Sequence, residues 1–388
     1  MPYRILILDT EFEMGGKEKK LFDFIRRTDR ARYQISICCL KQGGYFKPRI
    51  EGLGVRFYDG LLRHKYDALS FRRLRTILKA ERTQIIYTFS HPSTVIFSFM
   101  ARALGLVDRV VVSYHATGRE DGGRMVAGYL LPMLRRADML LAVAEMQKRQ
   151  LVDVEHLPAG IIQVIHNGVD IDAYHAAEGN ERARARDALG LPREGVVLVT
   201  VASLKSAKNI DVLLRASAGW LRSGADARLV LVGGGPDRAA LESLAEQLGV
   251  RDRVLFTGVR DDIPDILRAA DALVLPSKWG TETFPNVVLE AMASGLAVIT
   301  TDVGSVREMV EVNASALVVP PDDEAALKDA IERVAGDAAL RSSMGRRGRA
   351  IVEARFSLDA MCRRREAVFE TLLAPHPAAG ARLSGNDQ

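Results

Sequence analysis

The chain has 388 residues, of which 48% are apolar and 27% charged, with a formal net charge of +5 at pH 7. That length suits two cores of ordinary size, and the balance excludes disordered, collagenous and disulfide-rich chains. The three cysteines, Cys38, Cys39 and Cys362, have neither metal nor redox spacing and read as core thiols.

The opening apolar run breaks at Asp9, too short for a signal-peptide core, and reads as a first strand. Later apolar stretches near 94–107 and 129–144 are interrupted by Arg102 and by Arg135, Arg136 and Asp138, so no spanning helix is expected. A cytoplasmic location follows as the expectation. From there, short β-branched runs alternate with amphipathic helices, the pattern of a parallel sheet covered on both faces. Strands are predicted at Arg4–Leu8, Ile35–Leu40, Val55–Tyr58, Ile85–Thr88, Val110–Tyr114, Leu140–Val143 and Gln163–Ile165, with helices such as Lys17–Thr28 and Ser70–Ala80 between them. Later strands fall at Val196–Val201, Arg228–Val232, Val254–Phe256, Ala272–Leu275, Ala297–Thr300 and Ala316–Val319. The boundary is placed near Asn167–Tyr174, at a turn-forming Asn-Gly. This gives an α/β chain of two doubly wound, Rossmann-like domains facing a cleft. Residues 1–170 form the acceptor side and 171–355 the donor side. A helix over 356–373 returns to the first domain, and a disordered tail covers 374–388.

Charge is divided unevenly between the halves. Residues 1–170 hold 27 Lys and Arg against 18 Asp and Glu, net +9, and the remainder 27 against 31, net −4. A basic first half suits an anionic surface or a lipid phosphate. The segment Arg63–Arg82 adds apolar residues at helical spacing among several arginines. It reads as a helix packed on its own sheet with a solvated basic face, or as a membrane-surface face.

The segment 276–311 carries the most chemistry. It reads as a strand end, a glycine-bearing loop and a helix opened by Pro285, whose missing N–H has no partner at a first helical position. Free N–H groups and the helix dipole suit an anion at such a mouth. Glu282 lies before the turn and Glu290 eight positions on, inside the helix, so a pyrophosphate there would have a carboxylate on either side. Gly15 and Gly16, at the first strand-to-helix junction, allow close approach to a phosphate. Lys208 stands near another helix start, where its ammonium can meet a diphosphate. The glycines of 233–235 are compatible with a tight turn or with ligand contact. His115 and His91 follow strand ends facing the cleft. Asp170 and Asp172 have a metal-like spacing but fall in the interdomain turn.

Together these motifs resemble the E-x7-E signature of retaining glycosyltransferases of family 4, which have the GT-B architecture. The resemblance is clearest over 164–308. It implies that Glu282 contacts the donor sugar, with the backbone of Thr283 and Phe284 facing the sugar or phosphate, and that Glu290 holds the ribose hydroxyls. It places Gly15 and Gly16 beneath the donor phosphates, and the backbone of Gly258, Val259 and Arg260 along the nucleobase edge. His115 falls near the sugar and acceptor. Glu282, Lys208 and His115 become the catalytic candidates. Two departures stand out: Thr283 replaces the usual Gly, and Ser203 replaces the Arg that pairs with the lysine, with Lys205 a possible substitute. The implied activity is sugar transfer with retention from a UDP- or GDP-linked donor to a glycan or lipid-linked acceptor, in bacterial cell-surface polysaccharide biosynthesis. No metal or other cofactor and no nucleic-acid partner are expected, and membrane association would be peripheral. Alternatives are a sugar-nucleotide epimerase, another enzyme of this architecture, or a catalytically silent sugar-nucleotide-binding subunit.

Overall fold

The computed structural model describes residues 2–374 except 14, 65, 66, 68, 116–125, 224 and 225. Two all-parallel sheets organise it. The first contains β1 Tyr3–Asp9, β2 Tyr33–Cys39, β3 Arg56–Tyr58, β4 Ile85–Phe89, β5 Arg109–Tyr114, β6 Met139–Ala142 and β7 Ile162–Val164. Their order is β3-β2-β1-β4-β5-β6-β7. The second contains β8 Val197–Val201, β9 Arg228–Val232, β10 Val254–Gly258, β11 Ala272–Leu275, β12 Ala297–Thr301 and β13 Ala316–Val319. Their order is β10-β9-β8-β11-β12-β13. The Rossmann-like reading therefore holds, and the strand bounds shift by a residue or two.

These strands are apolar on both faces because helices cover both. In β1, Leu6 and Leu8 enter one core while Ile5 and Ile7 enter the opposite one. In β8, Leu198 enters one core and Val197 and Val199 the other. The cysteines are buried and free, as their apolar setting predicts. In the basic segment, Leu74 and Leu78 are buried under the helix Ser70–Glu81, whereas Arg72, Arg75 and Lys79 face outward. Among the described residues, no helix is long and apolar enough to cross a membrane.

Each sheet reverses its strand order once, between β1 and β4 and between β8 and β11. Ligands of doubly wound sheets bind outside the carboxyl ends of strands at such switch points. The loops concerned are 10–15 and 90–91 in the first sheet, and 202–209 and 276–285 in the second.

The chain crosses between the sheets twice, side by side. Val169 N–H donates to Phe356 O at 2.9 Å, and Leu358 N–H to Val169 O at 2.8 Å. A Cβ on Gly168 would lie 2.6 Å from Ser357 O, so the glycine serves this close approach as much as a turn. The last helix, Leu358–Leu373, then lies on the first sheet. Phe369 packs edge-on against Phe24 and Tyr87, with centroids 6.3 and 5.9 Å away. Residues 375–388, read from sequence as a disordered tail, lie outside the described residues.

Candidate active site

The second switch point gathers residues 74 positions apart in sequence. The loop after β8 tightens into one turn, Ser206–Lys208, with Asn209 left-handed, and so delivers Lys208 to the mouth of the cleft. The loop after β11 delivers Glu282. Their side chains meet, Lys208 Nζ donating to Glu282 Oε1 at 2.5 Å, and Ser277 Oγ donates to the same oxygen at 2.8 Å. Glycines set this geometry. A Cβ on Gly235 would lie 2.2 Å from Leu204 O, and one on Gly304 2.2 Å from Glu282 O, so neither loop could settle this deeply with a larger residue behind it. Ser203 contributes no cation. Lys205, on the same loop, is exposed and forms no ion pair among the described residues.

Two helix mouths converge beside this pair. One helix, Gly16–Arg27, has Gly15 at its cap position; the other, Asn286–Ala293, has Pro285 there, one place earlier than the sequence pattern put it. Asn286 Nδ2 donates to Gly16 O at 3.3 Å, and a Cβ on Gly16 would come within 3.0 Å of that nitrogen. The two helix N-termini therefore adjoin, and an anion placed between them would gain from both dipoles.

Deeper along the same helices, Glu290 is 5% exposed. Lys19 Nζ donates to its Oε1 at 2.8 Å and to the Tyr174 hydroxyl at 2.6 Å, and Lys20 Nζ stands 3.9 Å from the same oxygen. Burial alone would raise the Glu290 carboxyl, but Lys19 and then Lys20 outweigh it and hold it below the ordinary range. The sequence pattern put the two glutamates either side of one anion; the structure gives them different partners, Lys208 for one and Lys19 for the other.

On the facing side, the carboxyl ends of β1, β4 and β5 carry Asp9, Phe89 and His115. Asp9 is 1% exposed, takes Lys17 Nζ at 2.7 Å, and is nonetheless raised, burial outweighing the lysine. Lys17 also lies 4.6 Å over the Phe89 ring. The His115 ring sits 5.5 Å from Phe89, and its Nε2 is 2.9 Å from Ser113 Oγ. Burial first, then the Arg365 and Lys17 charges, push its imidazole down to about 3, leaving it neutral at physiological pH. The residues following His115 lie outside the described set.

Thr283, one of the two departures, donates its hydroxyl to His115 O across the cleft at 3.2 Å. Its own carbonyl accepts from Ser305 N–H at 3.0 Å. The Phe284 ring leaves the cleft and stacks on His166, centroids 5.3 Å apart, so only its backbone faces the mouth. Gly258 is left-handed and its carbonyl accepts from Gly233 N–H at 2.8 Å, while the Val259 side chain is exposed. The Arg260 guanidinium is bound to Asp262 and borders a cavity of about 310 Å³ beside the helix Glu181–Ala188. Asp170 and Asp172 serve Arg26 and Arg27. His91, exposed, takes the cap position of the helix Pro92–Ala103.

Comparison with known families agrees with this geometry. Residues 14–173 match the model described as Glycosyltransferase Family 4, and residues 181–351 the model described as Glycosyl transferases group 1. The chain belongs to glycosyltransferase family 4.

A D-inositol 3-phosphate glycosyltransferase of Saccharomonospora viridis is 34% identical over 228 residues, covering 56% of this chain. The chain spans about half the length of the curated relatives it matches first, 52% in this case. An N-acetyl-alpha-D-glucosaminyl L-malate synthase of Bacillus anthracis is 23% identical, with 79% of this chain and 80% of that protein aligned. Among solved structures, Anabaena HepE in complex with UDP superposes with a TM-score of 0.80 at 22% identity, covering 95% of this chain and all of that one. The fold is thus the GT-B fold.

Several residues of this family 4 site escaped the sequence reading: Lys17 with Asp9, Lys19 with Tyr174, Ser277 and Asn286. The basic run Lys17, Lys19, Lys20 after the glycine pair was the available signal, because a buried glutamate requires a cation near it. Nothing in the sequence says which lysine supplies it.

Proposed function

We propose that this family 4 chain transfers a hexose-type sugar from a nucleoside-diphosphate sugar to a glycan or lipid-linked acceptor, with net retention. The observation carrying this reading is the convergence of two helix mouths beside Lys208 and Glu282 at paired switch points. A diphosphate bears charge that grows as its bond to the sugar breaks, and preorganised cations and N–H groups stabilise that charge most where it develops. With donor bound, Lys208 turns from Glu282 to the diphosphate and Glu282 accepts from a sugar hydroxyl. Glu290 takes the ribose hydroxyls, and neutral His115 faces the sugar. The bond from the anomeric carbon to the diphosphate oxygen breaks while the acceptor oxygen bonds to that carbon on the same face. The acceptor proton passes to the departing diphosphate, and no metal or other cofactor takes part. HepE has been solved with UDP and with UDP-glucose, which supports a nucleotide-sugar ligand and favours uridine.

The acceptor side of this reading is a peripheral membrane site of cell-surface polysaccharide synthesis, at the cytoplasmic face. It is supported by the +9 charge of residues 1–170 and by Leu69, Met100, Leu104 and Tyr129, exposed on segments that cover one face of the first sheet. Ser203 favours a second reading, a silent sugar-nucleotide-binding subunit, because the clamp lacks a cation.

A thermal-shift panel of UDP, GDP, ADP and their sugar conjugates tests the first reading, since a ligand of the native state raises its apparent stability. One nucleotide and its conjugate should raise the midpoint by several degrees. The productive conjugate should then turn over with acceptor to a product of unchanged anomeric configuration, and Glu282→Ala should abolish that turnover. An inverted product would refute retention, and unchanged turnover in the variant would favour the silent subunit.

A further inference from the structure

Lys19 has no assigned role, yet its ammonium joins buried groups from both halves. It rises from the helix Gly16–Arg27 of the first half and donates to the Tyr174 hydroxyl at 2.6 Å and to Glu290 Oε1 at 2.8 Å. It also lies 5.0 Å over the Tyr174 ring. Those two partners are fixed to each other. Arg349 Nη1 donates to Tyr174 O at 2.6 Å and to Ala293 O at 2.7 Å, tying the linker to the end of the helix that bears Glu290. Lys19 therefore reaches from one half to a rigid pair on the other.

The charge states agree. Burial works against the Lys19 ammonium, but Glu290 and Tyr174 hold its pKa above the ordinary range. Burial raises the Tyr174 phenol, which keeps its proton. Lys20 cannot stand in. Its Nζ has no hydrogen-bond partner among the described residues, burial lowers its pKa, and 3.9 Å to Glu290 is beyond hydrogen-bond reach. A carboxylate offers about four lone-pair directions, so Lys19 leaves room on Glu290 for a vicinal diol.

We propose that Lys19 is a positioning residue which holds the Glu290 carboxylate only when the two halves are closed, so that the grip on the ribose depends on closure. This rests on the proposed function, in which Glu290 takes the ribose hydroxyls. Opening the cleft withdraws Lys19 and with it the cation that holds the Glu290 carboxylate at 2.8 Å. The substrate class that follows is ribonucleotide rather than 2′-deoxyribonucleotide, because only the former presents the diol.

The test is calorimetric titration of the full chain with UDP, GDP and ADP, and then with the 2′-deoxy form of the tightest. Wild type should prefer the ribonucleotide by about tenfold or more. Lys19→Met should lose that preference and bind the ribonucleotide about tenfold more weakly, with the 2′-deoxy form little changed. Lys19→Arg should keep the preference, and adding Lys19→Met to Glu290→Gln should cost nothing further. A structural role alone would weaken both nucleotides equally. If Lys19→Met does not fold, Lys19→Gln, which keeps a donor without the charge, serves instead and should fall between. Wild-type affinity and unaltered ribose preference in the Lys19 variants would overturn this proposal while leaving the proposed function intact. Failure of wild type to bind any of the three nucleotides would overturn the function and this inference together.

Discussion

Arg365 is 3% exposed on the last helix, and its Nε is buried with no hydrogen-bond partner among the described residues. Its guanidinium lies 4.9 Å over the Phe24 ring and 5.7 Å over Tyr87, and the Tyr87 hydroxyl is likewise buried without a partner among the described residues. Desolvated cation–π contacts supply about 2 kcal/mol or somewhat more each, whereas removing a cation from water costs several kcal/mol. The desolvation term should win. Arg365→Met is therefore expected to leave stability unchanged or raise it by on the order of 1 kcal/mol, measured by chemical unfolding. A loss above about 2 kcal/mol would show that the ring contacts, or a buried water, more than offset the charge. Sequence gave no hint of this residue, since an arginine among helical arginines looks solvated until the fold buries it.

At the scale of elements, the parallel strands were legible because burial on both faces makes them continuous apolar runs, as in Arg109–Tyr114. The glycines were legible as junctions but not in their purpose. Gly235 does not need a left-handed backbone; it needs the absence of a Cβ beside Leu204 O. Gly235→Ala should overpack that contact and cost roughly 1–3 kcal/mol, read as a lower unfolding midpoint in denaturant. It should also weaken nucleotide binding, because the displaced loop carries Lys208. A variant of wild-type stability and affinity would mean that the loop relaxes freely. The basic helix Ser70–Glu81 shows the limit of periodicity. Its spacing identified the buried stripe of Leu74 and Leu78, but the spacing is equally compatible with a membrane-facing helix.

At the scale of the whole molecule, polar ties join the halves, several of them through carboxylates. Glu308 accepts the N–H groups of Glu145 and Met146, at 2.8 and 2.7 Å, and so caps a helix of the opposite half. Asp261 takes the Tyr45 hydroxyl at 2.6 Å and Arg49 at 3.0 Å. For Glu308, burial would raise the carboxyl, but His166 and the two N–H groups bring it below the ordinary range. At Asp261 the Tyr45 hydroxyl, and then Arg49, outweigh burial, and again the net shift is downward. A carboxylate lowered by closure stabilises the closed form at pH above its ordinary value of about 4, and that contribution is lost as pH falls through the lowered one. Closure should therefore loosen in acid, with the radius of gyration from X-ray scattering rising below about pH 4 before the helical signal is lost. Glu308→Gln, which cannot ionise, should shift the balance toward the open form at neutral pH. A radius constant until global unfolding would rule out carboxylate control of closure.

The amino-acid sequence by itself determined the fold class, the strands to within a few residues, and the family, because periodicity, glycine junctions and the Glu282–Glu290 spacing are local properties of the chain. It also named Lys208, Glu282 and His115 as cleft residues, since each follows the carboxyl end of a strand. Only the tertiary structure decided what those groups touch. Lys208 meets Glu282 across 74 residues, and Lys19 meets Glu290 across 271. Pairing of that kind depends on how two sheets close on each other, and local spacing carries no information about which charge from one half lies opposite which from the other.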